Sequence, residues 1–276
     1  MTVPWANYDV IGSSDIFEAM HTRLTVQLIM TTRDQLMMCR ADDDVAGIMS
    51  RNTARYDFIP VLDAAHKGDR IKGLFHAARF FDGPVPNGSV RDHLLPLAEE
   101  HLIGADASIL DFLTSADSNP CRLVLSGAGI SGLVSLSDLH RLPVRACLFA
   151  LITGLEITMA EAIRQRYPSD EDWLPFLKEE RRVKIQEEIA SSKGNDFFVD
   201  PLLFTQFADK KTIIKMGIDA GLSKSTLESQ LGRIEQLRNN VAHANDYAPS
   251  PDEARKVCVT VRKLLVLQEK IAKVAA

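Results

Sequence analysis

Cysteine is scarce in this 276-residue chain: Cys39, Cys121, Cys147 and Cys258 are scattered, with no CxxC pair among them. Zinc sites and disulfide frameworks need paired or regularly spaced cysteines, so neither is expected and no metal is assigned. Long apolar runs are missing too. A membrane-spanning helix needs about 20 such residues, so none is expected. The first fifteen residues lack the basic-then-apolar order of a secretory leader. A cytoplasmic protein with reduced thiols is the expectation. An excess of positive charge is also absent, the net charge being −5. Residues 1–142 hold 12 Lys and Arg against 18 Asp and Glu, and the rest hold 20 against 19. The acidic front is a poor surface for nucleic acid, so any such contact belongs to the back.

What is present divides near Leu142-Pro143, where a helix can continue only by restarting. The front, residues 1–142, alternates short strands with helices, which predicts an α/β or α+β arrangement. A strand is predicted near Leu24–Met30 and a stretch Asp57–Asp63, followed by a turn near Lys67–Arg70 and a strand Ile71–Phe75 entering a helix. The plan then repeats: a helix from Ala107 to about Ser115, strands Cys121–Leu125 and Ile130–Ser135, and a helix entered at Ser137-Asp138-Leu139. Arg70–Phe80 matches Gly129–Leu139, each with an apolar residue, a spacer, Gly-Leu and a helix onset. Such self-similarity argues for duplication, with repeats at about residues 24–80 and 102–142.

These features resemble the CBS-domain pair, or Bateman module, over roughly residues 20–142. The resemblance rests on Thr25–Thr31, on Ile59-Pro60-Val61, on the two Gly-Leu pairs, and on Gly132-Leu133-Val134-Ser135-Leu136-Ser137-Asp138. It implies a sandwich-like fold and an adenine nucleotide (AMP, ADP or ATP) as regulatory ligand. Asp138 would receive the ribose hydroxyls and Ser135 would lie by the phosphates, in keeping with a carboxylate accepting two hydroxyls and a helix start favouring phosphate. Both residues also suit a helix cap without a ligand. The first repeat has His76 and Arg79 instead, which are either phosphate donors or surface residues. Tyr56 and Pro60 would flank the base, or belong to the core.

The back, residues 143–276, has helical periodicity throughout and predicts an all-α bundle of about five helices, giving an α+β protein as a whole. Predicted helices are Val144–Arg166, Trp173–Ser191, a segment from Asp200-Pro201 to about Met216, the segment carrying Leu227 to Ala244, and Glu253–Val274. The fourth ends in Arg238-Asn239-Asn240-Val241-Ala242-His243. Asn239 and His243 share a helical surface, whereas Arg238 and His243 lie roughly 140° apart on an ideal helix. Arginine forks onto phosphate, histidine moves protons near neutrality, and asparagine orients either partner or ribose. Solvated polar residues at a helix end would look the same.

Bundle, motif and penultimate position together resemble the HEPN superfamily. That resemblance implies a metal-independent endoribonuclease working as a homodimer on RNA, with two motifs facing across a twofold axis and no cofactor needed for catalysis. His243 would act as general base or acid, Arg238 would stabilise the phosphoryl oxygens, and Asn239 would hold the ribose or the histidine. Glu156, bordering the first long helix, is the candidate accompanying acid or an ordinary border residue. The joint expectation is a nucleotide-regulated ribonuclease of the kind found in defence or toxin systems. The alternative is a non-catalytic, nucleotide-sensing dimerisation module.

Overall fold

The computed structural model describes residues 22–63, 70–193 and 200–275. The first 21 residues assigned to the front domain, and most of the turn predicted at Lys67–Arg70, lie outside the described residues. The chain divides into two compact units, one formed by Leu24–Arg141 and the other containing Leu142–Ala276. It is α+β, with a helical C-terminal half.

The first unit holds two four-stranded sheets, ordered β1-β8-β7-β6 and β2-β3-β4-β5. The strands are β1 (Thr31–Thr32), β2 (Cys39–Arg40), β3 (Phe58–Leu62), β4 (Ile71–His76), β5 (Leu94–Pro96), β6 (Leu102–Gly104), β7 (Cys121–Ser126) and β8 (Gly129–Ser135). Each sheet has one parallel pair, one antiparallel hairpin and a short antiparallel fourth strand. The duplication extends to single hydrogen bonds, with a constant step of 64 residues (Val26 to Val90, Asp43 to Ala107). Val26 N–H donates to Ala107 O at 2.8 Å, as Val90 N–H does to Asp43 O at 2.9 Å. Gln27 N–H donates to Ala105 O at 2.9 Å, as Arg91 N–H does to Ala41 O at 2.8 Å. The two short helices, α1 (Val45–Arg51) and α2 (Ile109–Leu113), are capped at equivalent positions by Asp44 and Ser108.

The Gly-Leu pairs have a steric cause. A Cβ on Gly73 would stand 2.1 Å from Leu95 O, and one on Gly132 would stand 2.5 Å from Thr31 O. Both glycines let the fourth strand of their sheet close against the hairpin. The following Leu74 and Leu133 join Ile71, Cys121 and Leu123 in a core drawn from both sheets. A separate core packs α1 against Ile59, Val61 and Phe75. Pro60 sits one residue outside the β2 ladder, which begins at Val61, so its missing N–H interrupts no bond there.

Two predictions for this unit need correction. The strand predicted near Leu24–Met30 is instead a 3₁₀ turn at Val26–Leu28, whose Ile29 and Met30 amides fold back onto Val26 O. Its buried residues, Val26 and Ile29, repeat every three rather than every two. The helix starts predicted after β4 and β8 are single 3₁₀ turns, Ala77–Phe80 and Leu136–His140.

In the helical unit, α3 (Leu142–Arg166) packs against α6 (Phe207–Gly217), α7 (Lys224–Ala242) and α8 (Pro251–Ala275). Among the described residues it is the helix long and apolar enough by composition to cross a membrane, with a mean hydropathy of 1.7 over its most apolar window. Its buried Leu148, Leu151, Leu155, Met159 and Ile163 are committed to the bundle core. Pro143 occupies its first turn, where a missing N–H costs nothing.

Two predicted helices are broken. Trp173–Ser191 is split into α4 (Asp170–Trp173), a 3₁₀ turn at Leu174–Phe176 containing Pro175, and α5 (Glu179–Lys193). Proline has no amide to continue the ladder. The segment opened by Asp200 lasts one 3₁₀ turn, Pro201–Phe204, before Gln206 and Asp209 cap the start of α6.

Candidate functional site

The motif ends α7. Leu227, Leu231, Ile234, Leu237 and Val241 are buried, which leaves Asn239 exposed and Arg238 half-buried. His243 is the exposed C-cap, and its N–H donates to Asn239 O at 3.0 Å. Ala244 then takes the left-handed conformation, φ 56°, and Asn245 N–H returns to Asn240 O at 2.9 Å. This is a Schellman closure with alanine where glycine is usual. Arg238 Nη1 donates to Asn239 Oδ1 at 3.3 Å. Among the described residues, no hydrogen bond or ion pair joins Arg238 to His243.

Arg145 of α3 completes this helix end. Its guanidinium donates to Asn240 O at 3.1 Å, Val241 O at 2.9 Å and Asn245 O at 2.9 Å, and lies 4.9 Å from the Tyr247 ring centre. A cation there satisfies the last carbonyls and opposes the negative end of the helix dipole. Burial pushes the Tyr247 hydroxyl up to about 12, against the downward pull of Arg145. Sequence reasoning missed Arg145. The available signal was a charge standing beside buried Val144, Cys147 and Leu148.

Glu156 stands apart from this end. Eleven residues separate it from Arg145 (145 to 156), about 16 Å along the helix axis. Its carboxylate receives Lys210 Nζ at 3.0 Å, and that buried ammonium also donates to Thr205 O at 2.7 Å. Arg181 holds the adjacent buried Asp209 at 2.9 Å and donates to Phe204 O at 3.0 Å. Both cations therefore serve the break before α6.

In the first unit, β8 delivers Ser135 to the turn Leu136–His140. Ser135 N–H donates to Asp138 Oδ2 at 2.7 Å, and its hydroxyl lies 3.3 Å from the same oxygen. The other carboxylate oxygen receives Arg141 Nε at 2.7 Å. Arg141 continues to Thr31 Oγ1 at 2.8 Å and Met30 O at 3.4 Å. Asp138 is buried, which raises its pKa, while the Ser135 amide and Arg141 pull it down. Ser135 and Asp138 thus form a cap with an arginine latched onto it. The matching turn of the first repeat has the charges reversed, with Arg79 and Asp82 where Asp138 and Arg141 stand. Arg79 is exposed, and Asp82 pairs with Arg55 at 3.3 Å. His76 stacks on Phe58 with ring centres 4.3 Å apart. Pro60 is buried, whereas Tyr56 is half-exposed, its backbone clamped by Asn52 at 2.8 and 2.9 Å.

Its structural neighbours are CBS-domain pairs. One is the CBS domain of a bacterial CNNM/CorC family Mg2+ transporter in complex with ATP. It is 17% identical, with a TM-score of 0.38, and the match covers 48% of this chain and 94% of that one. A hemolysin-like protein containing a CBS domain from Oenococcus oeni PSU is 16% identical over 47% and 96%, with a TM-score of 0.35. The CBS domains of a transcriptional regulator from Streptococcus pneumoniae are 16% identical over 42% and 96%, with a TM-score of 0.34. No protein-family model and no curated protein matches the chain.

Proposed function

We propose that this chain is an adenine-nucleotide-regulated, metal-independent endoribonuclease of the cytoplasm, acting as a homodimer. The observation that carries the reading is the end of α7, where Arg238, Asn239 and His243 stand at a helix terminus held rigid by Arg145. In the reaction, the ribose 2′-oxygen attacks the adjacent phosphorus and gives its proton to His243. The P–O5′ bond breaks as O5′ takes a proton from the second motif of the dimer. The products are a 2′,3′-cyclic phosphate and a 5′-hydroxyl. Arg238 stabilises the charge that develops on the phosphoryl oxygens.

Regulation belongs to the Asp138 turn. Both carboxylate oxygens have partners, so a ribose diol binds Asp138 only in exchange for Arg141. Arg141 directly precedes α3, so ligand binding changes the bonds of the residue from which α3 starts. The ligand shifts activity only through differential affinity for the two arrangements.

The test is RNA cleavage in EDTA by wild type and His243→Ala, each with and without AMP or ATP. Expected is a loss of at least about 100-fold in the variant, with a nucleotide response in the wild type. A folded protein that cuts none of several RNAs under any condition overturns the nuclease. The second reading, a non-catalytic sensing and dimerisation module, is favoured by the commitment of Glu156 to Lys210. It predicts nucleotide-dependent assembly without cleavage.

A further inference from the structure

The helix α3 is buried on several sides and yet leaves one apolar stripe in solvent. Leu142, Phe149 and Ile157 are 76%, 51% and 40% exposed. Ala146 and Thr153 are exposed between them, and Ala150 is half-buried. The stripe carries no charge and runs 15 residues (142 to 157), about 22 Å. Contiguous apolar surface of this kind is uncommon on a monomer and marks a partner surface.

The order of side-chain sizes says which partner. A twofold axis passing between residues 149 and 150 sets Phe149 of one copy against Ala150 of the other. The same axis sets Ala146 against Thr153 and Leu142 against Ile157. Each large residue at the centre meets a small one, and the large apolar ends meet each other. A twofold interface must be self-complementary in this way, because one patch faces its own copy. We infer that the exposed stripe of α3 is the dimerisation surface of this protein, with a second copy packed antiparallel across Phe149 and Ala150.

This inference rests on the homodimer named above and gives it geometry. Arg145 holds the end of α7, and in the antiparallel pair it stands opposite residue 154 of the partner. The two Arg145 levels are then nine residues (145 to 154), about 14 Å, apart along the axis. Along that direction both motif ends come to the middle of the dimer, as two cooperating histidines require.

The test uses the full chain in two ways. Sedimentation at tens of micromolar should give twice the chain mass for wild type and one chain mass for Phe149→Glu, with unchanged circular dichroism. Oxidation should cross-link Ala150→Cys to itself. It should leave Leu142→Cys uncross-linked alone but join it to Ile157→Cys in a mixture, the four native thiols being buried. A monomeric wild type, a dimer that survives Phe149→Glu, or self-cross-linking of Leu142→Cys overturns the assignment. So does a monomer that floats with phosphatidylcholine vesicles through this stripe. A dimer with the expected cross-links that cuts no RNA keeps the surface and removes the nuclease. Cleavage by a monomer does the reverse.

Discussion

Ala244 holds a left-handed backbone that costs an L-residue about 1 kcal/mol, so Ala244→Gly should raise stability by about 0.5–1 kcal/mol. The melting temperature checks this, and a loss on substitution would mean that the αL closure is not what ends α7. Gly73 and Gly132 behave in the opposite sense. An alanine at either drives its Cβ into a carbonyl of the fourth strand, and each variant should lose about 2–3 kcal/mol by overpacking. Denaturant unfolding of the two variants side by side measures it, and equal losses would express the duplication in energy. The thiols follow from burial: desolvation pushes Cys39 and Cys147 up to about 12 and Cys121 higher. At pH 8 the native protein should therefore react with a thiol reagent only as fast as it unfolds.

At the scale of the element, α7 depends on a residue from another helix. Arg145→Ala removes the guanidinium from Val241 O and Asn245 O and leaves Asn240 O to the Asn245 amide, at a cost of about 2 kcal/mol. Faster amide exchange confined to the last turn of α7 would be its signature, and unchanged exchange would refute the capping role. Tyr247, stacked beneath that guanidinium, sets a pH limit. Its folded pKa lies above the ordinary value of about 10, so the protonated ring contributes fully below that pH. Between about 10 and 12 the unfolded state ionises first, and stability should fall by on the order of 1–2 kcal/mol. Tyr247→Phe should remove that part of the decline.

For the molecule as a whole, the two cores described in the first unit are drawn entirely from residues between Leu36 and Leu133. A fragment spanning residues 24–141 should therefore unfold cooperatively on its own. If it binds an adenine nucleotide, the thermal shift should be lost in Asp138→Ala. Its persistence would place the ligand elsewhere on the unit. Arg141→Ala should keep or strengthen binding in the same fragment, because the carboxylate no longer has to exchange partners.

The sequence by itself determined the duplication, the paired hairpins, the Gly-Leu positions, the helical character of the back half and the place of His243 at a helix end. Each of these is a periodic or local signal, carried by residues within a few positions of one another. In the back half, the two helices it misjudged, Trp173–Ser191 and the segment after Asp200, failed where a proline or a new cap interrupts an otherwise continuous apolar pattern. Only the tertiary structure decided that β1 pairs with β8, that Arg141 ties the Asp138 turn to Thr31, that Lys210 holds Glu156, and that Arg145 closes α7. Those contacts join charges and carbonyls far apart in the chain, which composition and spacing do not record. The exposed stripe on α3 was hidden for the same reason. An apolar helix reads alike on all its faces until its neighbours are in place, and only then does the uncovered face stand out.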